Sequence, residues 1–552
     1  MTPLRVRWLG RVPYAEADAL QRALHERAPD DYLLLLEHPP VYTLGTRAHL
    51  EHVLVPPASV GAELVRTDRG GDVTYHGPGQ LVGYPIVTLP DWRDGRPDVV
   101  AYVRRVEAAL VGALARLGVD AHTEAGFTGV WVGDEKIAAI GVKVARDRSR
   151  HGFALNVDPD LTMFGHIVPC GIRDRGVTSL ARVLGESPDM RVVVDAVVDA
   201  FRDELGHDAV ERQDVVWRER ASDLSAFTRE AEATRTPVRS GAPVRLLGRL
   251  AEAGVAAPAD DPTFRRPPWM KVKADLGEGY RETKRVMRSL SLHTVCEEAG
   301  CPNIYECWAD RTATFMILGE RCTRACGFCL VDTRKPLPID PDEPARVAEA
   351  VAAMGLAHAV VTSVARDDVE DGGAGAFAAT IAAIRARTPS TQVEVLVPDC
   401  KGDADALQTI FDARPDVLNH NLETVARLQR AARPSAAYAR SLGVLARAKD
   451  AGLTTKSGII LGMGETSDEV LGAVADLRGV GVDILTLGQY LRPSARHLPV
   501  VRWWTPDEFA TLREDALALG FAHVEAGPLV RSSYHARAAV DAAAGRAHAV
   551  AR

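Results

Sequence analysis

Long apolar runs are absent from this chain of 552 residues, and so is any surplus of basic charge. No stretch of about 18 consecutive apolar residues occurs, the length a membrane-spanning helix needs. The opening MTPLRVRWLGRVPY holds no apolar core of signal-peptide length. Both gaps predict a cytoplasmic protein with no membrane partner. A formal charge of -8 leaves out the basic excess that nucleic acids attract, so no nucleic-acid partner is expected. Cysteines number only eight, and in a reducing compartment they serve better as metal ligands than as disulfides. With 46% hydrophobic residues the chain can still bury several cores, and its length suggests two large domains or about three to four smaller ones.

Six of the cysteines crowd into one window as two triplets: Cys296, Cys301 and Cys307, then Cys322, Cys326 and Cys329. Three thiolates can hold three irons of a 4Fe-4S cube and leave the fourth iron an open coordination site. A structural zinc site would instead close with four N or S ligands from paired short spacings, and only Cys326 and Cys329 have such a spacing. The second triplet, C-x3-C-x2-C, resembles the radical S-adenosylmethionine (SAM) enzymes. That resemblance implies SAM bound to the open iron and cleaved by one electron to a carbon radical that abstracts unactivated hydrogen.

The first triplet lies in HTVCEEAGCPNIYECW. With GERCTRACGFCLVDT, TSVARDDVEDGGA, NHNLETV, KSGIILGMGET, DILTLGQYLRPS and GPLVRSSYHA, it resembles lipoyl synthase over residues 265 to 540. The resemblance implies a second, auxiliary 4Fe-4S cluster on Cys296, Cys301 and Cys307 that surrenders its own sulfide, with Ser533 as its fourth ligand. A serine oxygen is a harder and more easily displaced ligand than thiolate, as a cluster meant for dismantling requires. SAM, the two clusters and an electron donor such as flavodoxin or ferredoxin follow as cofactors and partner. Arg366, Asp367, Asp368, Gly372, Gly373, Glu423 and Lys456 are expected to line the SAM or peptide pocket, and Cys400 is expected to be structural. Gly300 stands where a larger side chain is expected in many relatives.

From about residue 313, β-rich runs (ATFMIL, HAVVTS, QVEVLV, DVLN, TTKSGIIL, VDILTLG, AHVEAG) alternate with amphipathic helical stretches. Repeated β-α units on a parallel sheet follow, hence an α/β partial (β/α) TIM-type barrel with Cys322, Cys326 and Cys329 in the loop after its first strand, the catalytic face. The N-terminal part reads differently. Strands YLLLLEH, ELVRTD, QLVGYPIVTL, GVWV and KIAAIGVKV, with helices near 97 to 118 and 190 to 205, predict an α+β domain with a mixed sheet. The expected boundaries are 1 to 210, a partly ordered, charge- and Pro-rich linker at 211 to 264, and 265 to 552.

In the N-terminal part, RGGDVTYHGPGQLVGYP is dense in glycine, which lets a ligand approach the backbone. By itself such a loop is as well explained by a tight hairpin. Taken with Lys136 in DEKIAAIGVKV, HGFALNV and Cys170 in IVPCGI, it resembles the lipoyl/octanoyl-transferase family of the biotin and lipoate ligase fold over residues 1 to 205. The resemblance implies Cys170 and Lys136 as the catalytic pair. A nearby lysine lowers a thiol pKa as a cation and takes its proton as a base. Substrate binding is expected from Arg69, Gly70, Gly71, Asp72, Val73, Thr74, Tyr75, His76, Ala139, Ile140, Gly141, Gly152, Phe153 and Ala154, with His151 structural. Lys143, Arg146, Arg148 and Arg150 form a basic cluster that fits either an acidic acyl carrier protein or a solvated face.

The two resemblances imply consecutive steps. Octanoyl passes from octanoyl acyl carrier protein to a lysine of lipoyl carrier domains of 2-oxoacid dehydrogenases and glycine cleavage H protein; sulfur then enters at C6 and C8. Tethering raises the local concentration of the intermediate if the linker spans the sites. The rival reading is an ATP-dependent lipoate ligase, which needs no cysteine, fused to another radical SAM domain or a non-catalytic Fe-S domain.

Overall fold

The computed structural model describes residues 3–89, 92–93, 95–169, 175–217, 244–256, 266–271, 277–298, 301, 303–305, 314–534, 536–540 and 542. The chain divides into two compact units, Met1–Trp217 and Arg218–Arg552.

Among the described residues, unit one is built on thirteen strands: β1 (Leu4–Arg11), β2 (Tyr32–Glu37), β3 (Val41–Leu44), β4 (Glu63–Arg66), β5 (Val73–His76), β6 (Gln80–Ile86), β7 (Trp92–Arg93), β8 (Arg96–Pro97), β9 (His122–Glu124), β10 (Phe127–Val132), β11 (Glu135–Ala145), β12 (Arg148–Asn156) and β13 (Val210–Asp214). Eight of them form a mixed sheet in the order β13-β1-β2-β6-β12-β11-β10-β9, and β4-β3-β5 form a second, small sheet. The helices Val99–Arg116 and Met190–Leu205 form where Asp98 and Asp189 cap their first turns. Tyr102, Val106, Ala109, Leu110 and Ala113 recur at helical spacing, and with Val193, Val197 and Phe201 they bury Leu33, Leu35, Leu81, Phe153 and Leu155 of the sheet. The expected α+β class is observed.

Unit two carries β14 (His293–Thr294), β15 (Thr314–Ile317), β16 (His358–Ser363), β17 (Gln392–Leu396), β18 (Val417–Asn419), β19 (Thr454–Leu461), β20 (Ile484–Gln489) and β21 (His523–Gly527), paired in that order. From β15 to β21 every pairing is parallel, and only β14 runs antiparallel. Helices Glu343–Met354, Ala374–Arg387, Ala404–Asp412, Tyr438–Asp450, Ser467–Gly479 and Pro506–Ala518 fill the crossovers. Thr466 with Glu469 and Thr505 with Glu508 close reciprocal capping boxes that start the last two. Among the described residues no pairing joins β14 to β21, so the barrel is partial, and each predicted strand of this half is present.

The segment read as a partly ordered linker holds an ordered element near each end. β13, within it, is an edge strand pairing in parallel with β1. Helix Val244–Glu252 buries Leu250 and is followed by buried Ala253; Arg430 pairs with Glu252 at 3.0 Å and Arg427 donates to the Ala253 carbonyl. Charged local sequence hid both, because their partners lie far away along the chain.

Candidate functional sites

In unit one the glycine block becomes β5, a Gly77-Pro78-Gly79 turn and β6, beside β11 and β12. A cleft of about 50 Å³ is lined by Arg69, Gly71, Asp72, Thr74, His76, Ala139, Ile140, Gly141, Gly152, Phe153 and Ala154, all expected, and also by Tyr14, Val82, Tyr84 and His151. Val73 and Tyr75 do not line it. Strand alternation turns them into the small core with Tyr42, Leu44 and Phe164, while Thr74 and His76 face the cleft. Gly70 is also outside the lining, and its N–H donates to Val142 O at 3.0 Å. The close approach there needs glycine: a Cβ on Gly141 would lie 2.9 Å from Gly70 O.

Arg69 spends its guanidinium on the loop backbone, donating to Thr43 O at 2.6 Å and Asp72 O at 2.8 Å. Burial lowers the His76 imidazole to about 3, with Gln80 Oε1 2.8 Å from Nδ1. The basic cluster is mostly spoken for internally. Lys143 reaches Asp68 at 2.6 Å, Arg150 also meets Asp68, and Arg148 bonds the Ala28 and Asp30 carbonyls. Of the four, Arg146 is exposed, Lys143 and Arg148 are half-buried and Arg150 is buried. His151 lines the cleft, yet its Nε2 is held 2.8 Å from Asp68 as well. The sequence points to a structural role because nothing local marks a cleft residue, and the Asp68 contact and the cleft position are both observed.

Cys170 lies outside the described residues. Its flanks are described. Val168 N donates to His52 O at 2.8 Å; beyond the segment, Lys136 N donates to Gly176 O at 2.9 Å and Thr178 N to Lys136 O at 3.0 Å. The returning chain is therefore paired directly with Lys136. Lys136 does not line the cleft, and its Nζ donates to Thr128 O at 3.0 Å.

In unit two one cavity of about 560 Å³ lies at the carboxyl ends of the parallel strands. Cys322, Cys326, Cys329, Cys301 and Ser533 all line it. The side chain of Cys296, and the whole of Cys307 and Gly300, lie outside the described residues. Asn303 Nδ2 donates to Leu529 O at 2.8 Å, tying the chain just after Cys301 to the loop that leads to Ser533. The backbone N–H groups of Arg324 and Ala365 donate to Cys322 Sγ at 3.4 and 3.3 Å. Arg324 is itself buried and clamped by Asp367 at 2.7 Å and Asp399 at 2.7 Å. Burial pushes the Cys326 thiol up to about 11 and Cys329 up to about 12, so taking up a metal there releases protons. Three thiols lining one cavity, one of them accepting two backbone N–H bonds, fit an iron-sulfur cube.

Of the further expected pocket residues only Glu423 lines the cavity. Asp367 holds Arg324, and Arg366 is held by Asp368 at 2.9 Å. Lys456 is fully buried against Glu394, Nζ to Oε1 3.0 Å. Glu394 faces the cavity and escaped the sequence reading, although a charge inside the apolar run QVEVL was a signal. Arg433 was missed for want of any local mark, and Arg531 although it stands inside the motif GPLVRSSYHA.

Residues 316–477 match the radical SAM superfamily, and residues 254–301 match the N-terminal domain of lipoyl synthase of that family. The class of the second unit is thus a radical SAM protein. The lipoyl synthase of Rubrobacter xylanophilus is 61% identical over 273 residues, 49% of this chain and 85% of the relative. The chain belongs to the lipoyl synthase family. Residues 13–202 match the lipoyl protein ligase A/B catalytic domain, so the first unit is ligase/octanoyltransferase-like. Among solved structures, a bi-partite lipoate protein ligase from Thermoplasma acidophilum is similar at 18% identity, covering 43% of this chain and 94% of that one, TM-score 0.33. Methylornithine synthase is similar at 13%, covering 38% and 70%, TM-score 0.30. No described helix is long and apolar enough to cross a membrane.

Proposed function

We propose that the chain lipoylates proteins in two steps: octanoyl transfer by the first unit and sulfur insertion by the second. The single observation that carries this is the cavity lined by Cys322, Cys326 and Cys329 together with Cys301 and Ser533. In the first step the Cys170 thiol loses its proton to Lys136 and attacks the thioester of octanoyl acyl carrier protein, whose own thiol departs with a proton. A lysine amine of a lipoyl carrier domain then attacks the Cys170 thioester; an amide forms and the thiol is restored. The exchange of one thioester for another is nearly neutral in free energy, so the acyl group waits on the enzyme for the amine. The direct pairing of Lys136 with the strand returning from the Cys170 segment supports this pair.

In the second unit, Cys322, Cys326 and Cys329 would hold the cluster that binds SAM, and Cys296, Cys301, Cys307 and Ser533 the auxiliary one. When bound, these groups supply the electron that cleaves SAM and the sulfur that enters at C6 and C8. Met316, Val360, Val364, Leu396 and Ile459 give the cavity an apolar wall for the octanoyl chain, which excludes water from a reactive carbon. Flavodoxin or ferredoxin would deliver the electron.

Anaerobically purified protein should carry about eight irons per chain, the content of two cubes; about four, or zinc alone, would refute the two-cluster reading. Given octanoyl carrier protein, SAM, reductant and apo carrier domain, it should yield a lipoyl adduct by mass spectrometry. Alkylating Cys170 should abolish the octanoyl adduct, whereas an ATP-dependent ligase would survive.

A further inference from the structure

Trp131 sits directly across from Lys136 in the β10–β11 ladder, just after a register shift between Val130 and Trp131. The shift adds one residue to β11 and turns the two side chains toward one another. Lys136 Nζ lies 4.7 Å from the centroid of the indole ring, a distance at which the ring quadrupole attracts an ammonium. Trp131 is 1% exposed, so little water competes for that contact. The lysine stem has a made-to-measure slot: a Cβ on Gly129 would come 3.2 Å from Lys136 Cε, and Gly129 N is held by the buried Glu107 carboxylate at 3.0 Å. The same ring contacts Arg175, at 5.4 Å, the residue at which the described chain resumes after the Cys170 segment. Arg175 is pinned in turn by Asp134 at 3.2 Å. One aromatic ring thus touches both the lysine and the end of the nucleophile's segment.

We propose that Trp131 is a positioning residue for acyl transfer: its ring fixes the Lys136 ammonium and holds Arg175, five residues after Cys170. The inference rests on the Cys170–Lys136 reading above. Trp131→Met keeps apolar bulk and removes the ring face; Trp131→Phe keeps a weaker ring face; Lys136→Met is the reference. The readout is the rate of Cys170 alkylation by iodoacetamide against pH in the full-length chain, with the carboxamidomethyl peptide quantified by mass spectrometry. Trp131→Met should raise the midpoint of that profile by about one pH unit, so alkylation at pH 7 slows about tenfold, and Trp131→Phe should fall between it and wild type. Octanoyl transfer should lose kcat about tenfold while KM for octanoyl carrier protein stays within about twofold. If Trp131→Met does not fold, Trp131→Phe decides, since any ring-dependent positioning must move its profile in the same direction. An unmoved profile in the tryptophan variants beside a shifted Lys136→Met profile overturns the role of Trp131 alone. A Lys136→Met profile identical to wild type overturns the pairing of Cys170 with Lys136, and the inference with it.

Discussion

Asp68 collects Lys143, Arg150 and His151 at the edge of the cleft. Burial disfavours its charge, but the bonds from Lys143 and His151 outweigh that and hold the carboxyl well below the usual carboxylate range. A depressed carboxyl stabilises the fold above its unfolded value of about 4 and loses that contribution as pH falls through its folded value. Asp68→Asn should therefore cost about 1–3 kcal/mol at pH 7 by urea unfolding, with the gap to wild type narrowing only as pH falls below about 4; a gap independent of pH would refute the assignment. His76 titrates in another window. Burial and the neighbouring His38 keep it neutral, so the unfolded chain takes up protons first, from about pH 6.5 downward. Stability is intact above that pH and declines as pH drops toward the folded value of about 3. His76→Gln should lose less stability than wild type between pH 7 and pH 5, and equal losses would refute the buried neutral imidazole.

At the scale of elements, β17 and β19 meet through Glu394 and Lys456, both without solvent exposure. Burial opposes the Glu394 charge, and Lys456 with His358 still holds its carboxyl below the ordinary range. Lys456→Met leaves that buried charge without its ammonium partner and should cost about 3–5 kcal/mol of unfolding free energy, whereas the double variant with Glu394→Met should recover most of it. Equal destabilisation of single and double variants would show that the pair is not coupled. The β/α alternation was legible because each parallel strand is a short apolar run between amphipathic helices, a local pattern. β5 and β12 were not: β5 hides in a glycine block and β12 opens on polar RSRH, so only pairing with β3, β6 and β11 reveals them.

For the whole molecule, tethering predicts coupling between the two reactions. An equimolar mixture of full-length Cys170→Ser and Cys326→Ser variants retains each active unit but on different chains, and should form lipoyl product more slowly than half the amount of intact chain; equal rates would remove the tethering advantage. The chain's own sequence determined the class of each half, since ligand spacing in Cys322, Cys326 and Cys329 and the order of motifs are properties of neighbouring residues. Tertiary structure alone decided that Asn303, just after Cys301, is tied to the loop leading to Ser533, that Glu394 meets Lys456, and that a register shift sets Trp131 against Lys136. Those contacts depend on strand register and on segments distant along the chain, and a one-residue slip, invisible in composition or spacing, would undo them.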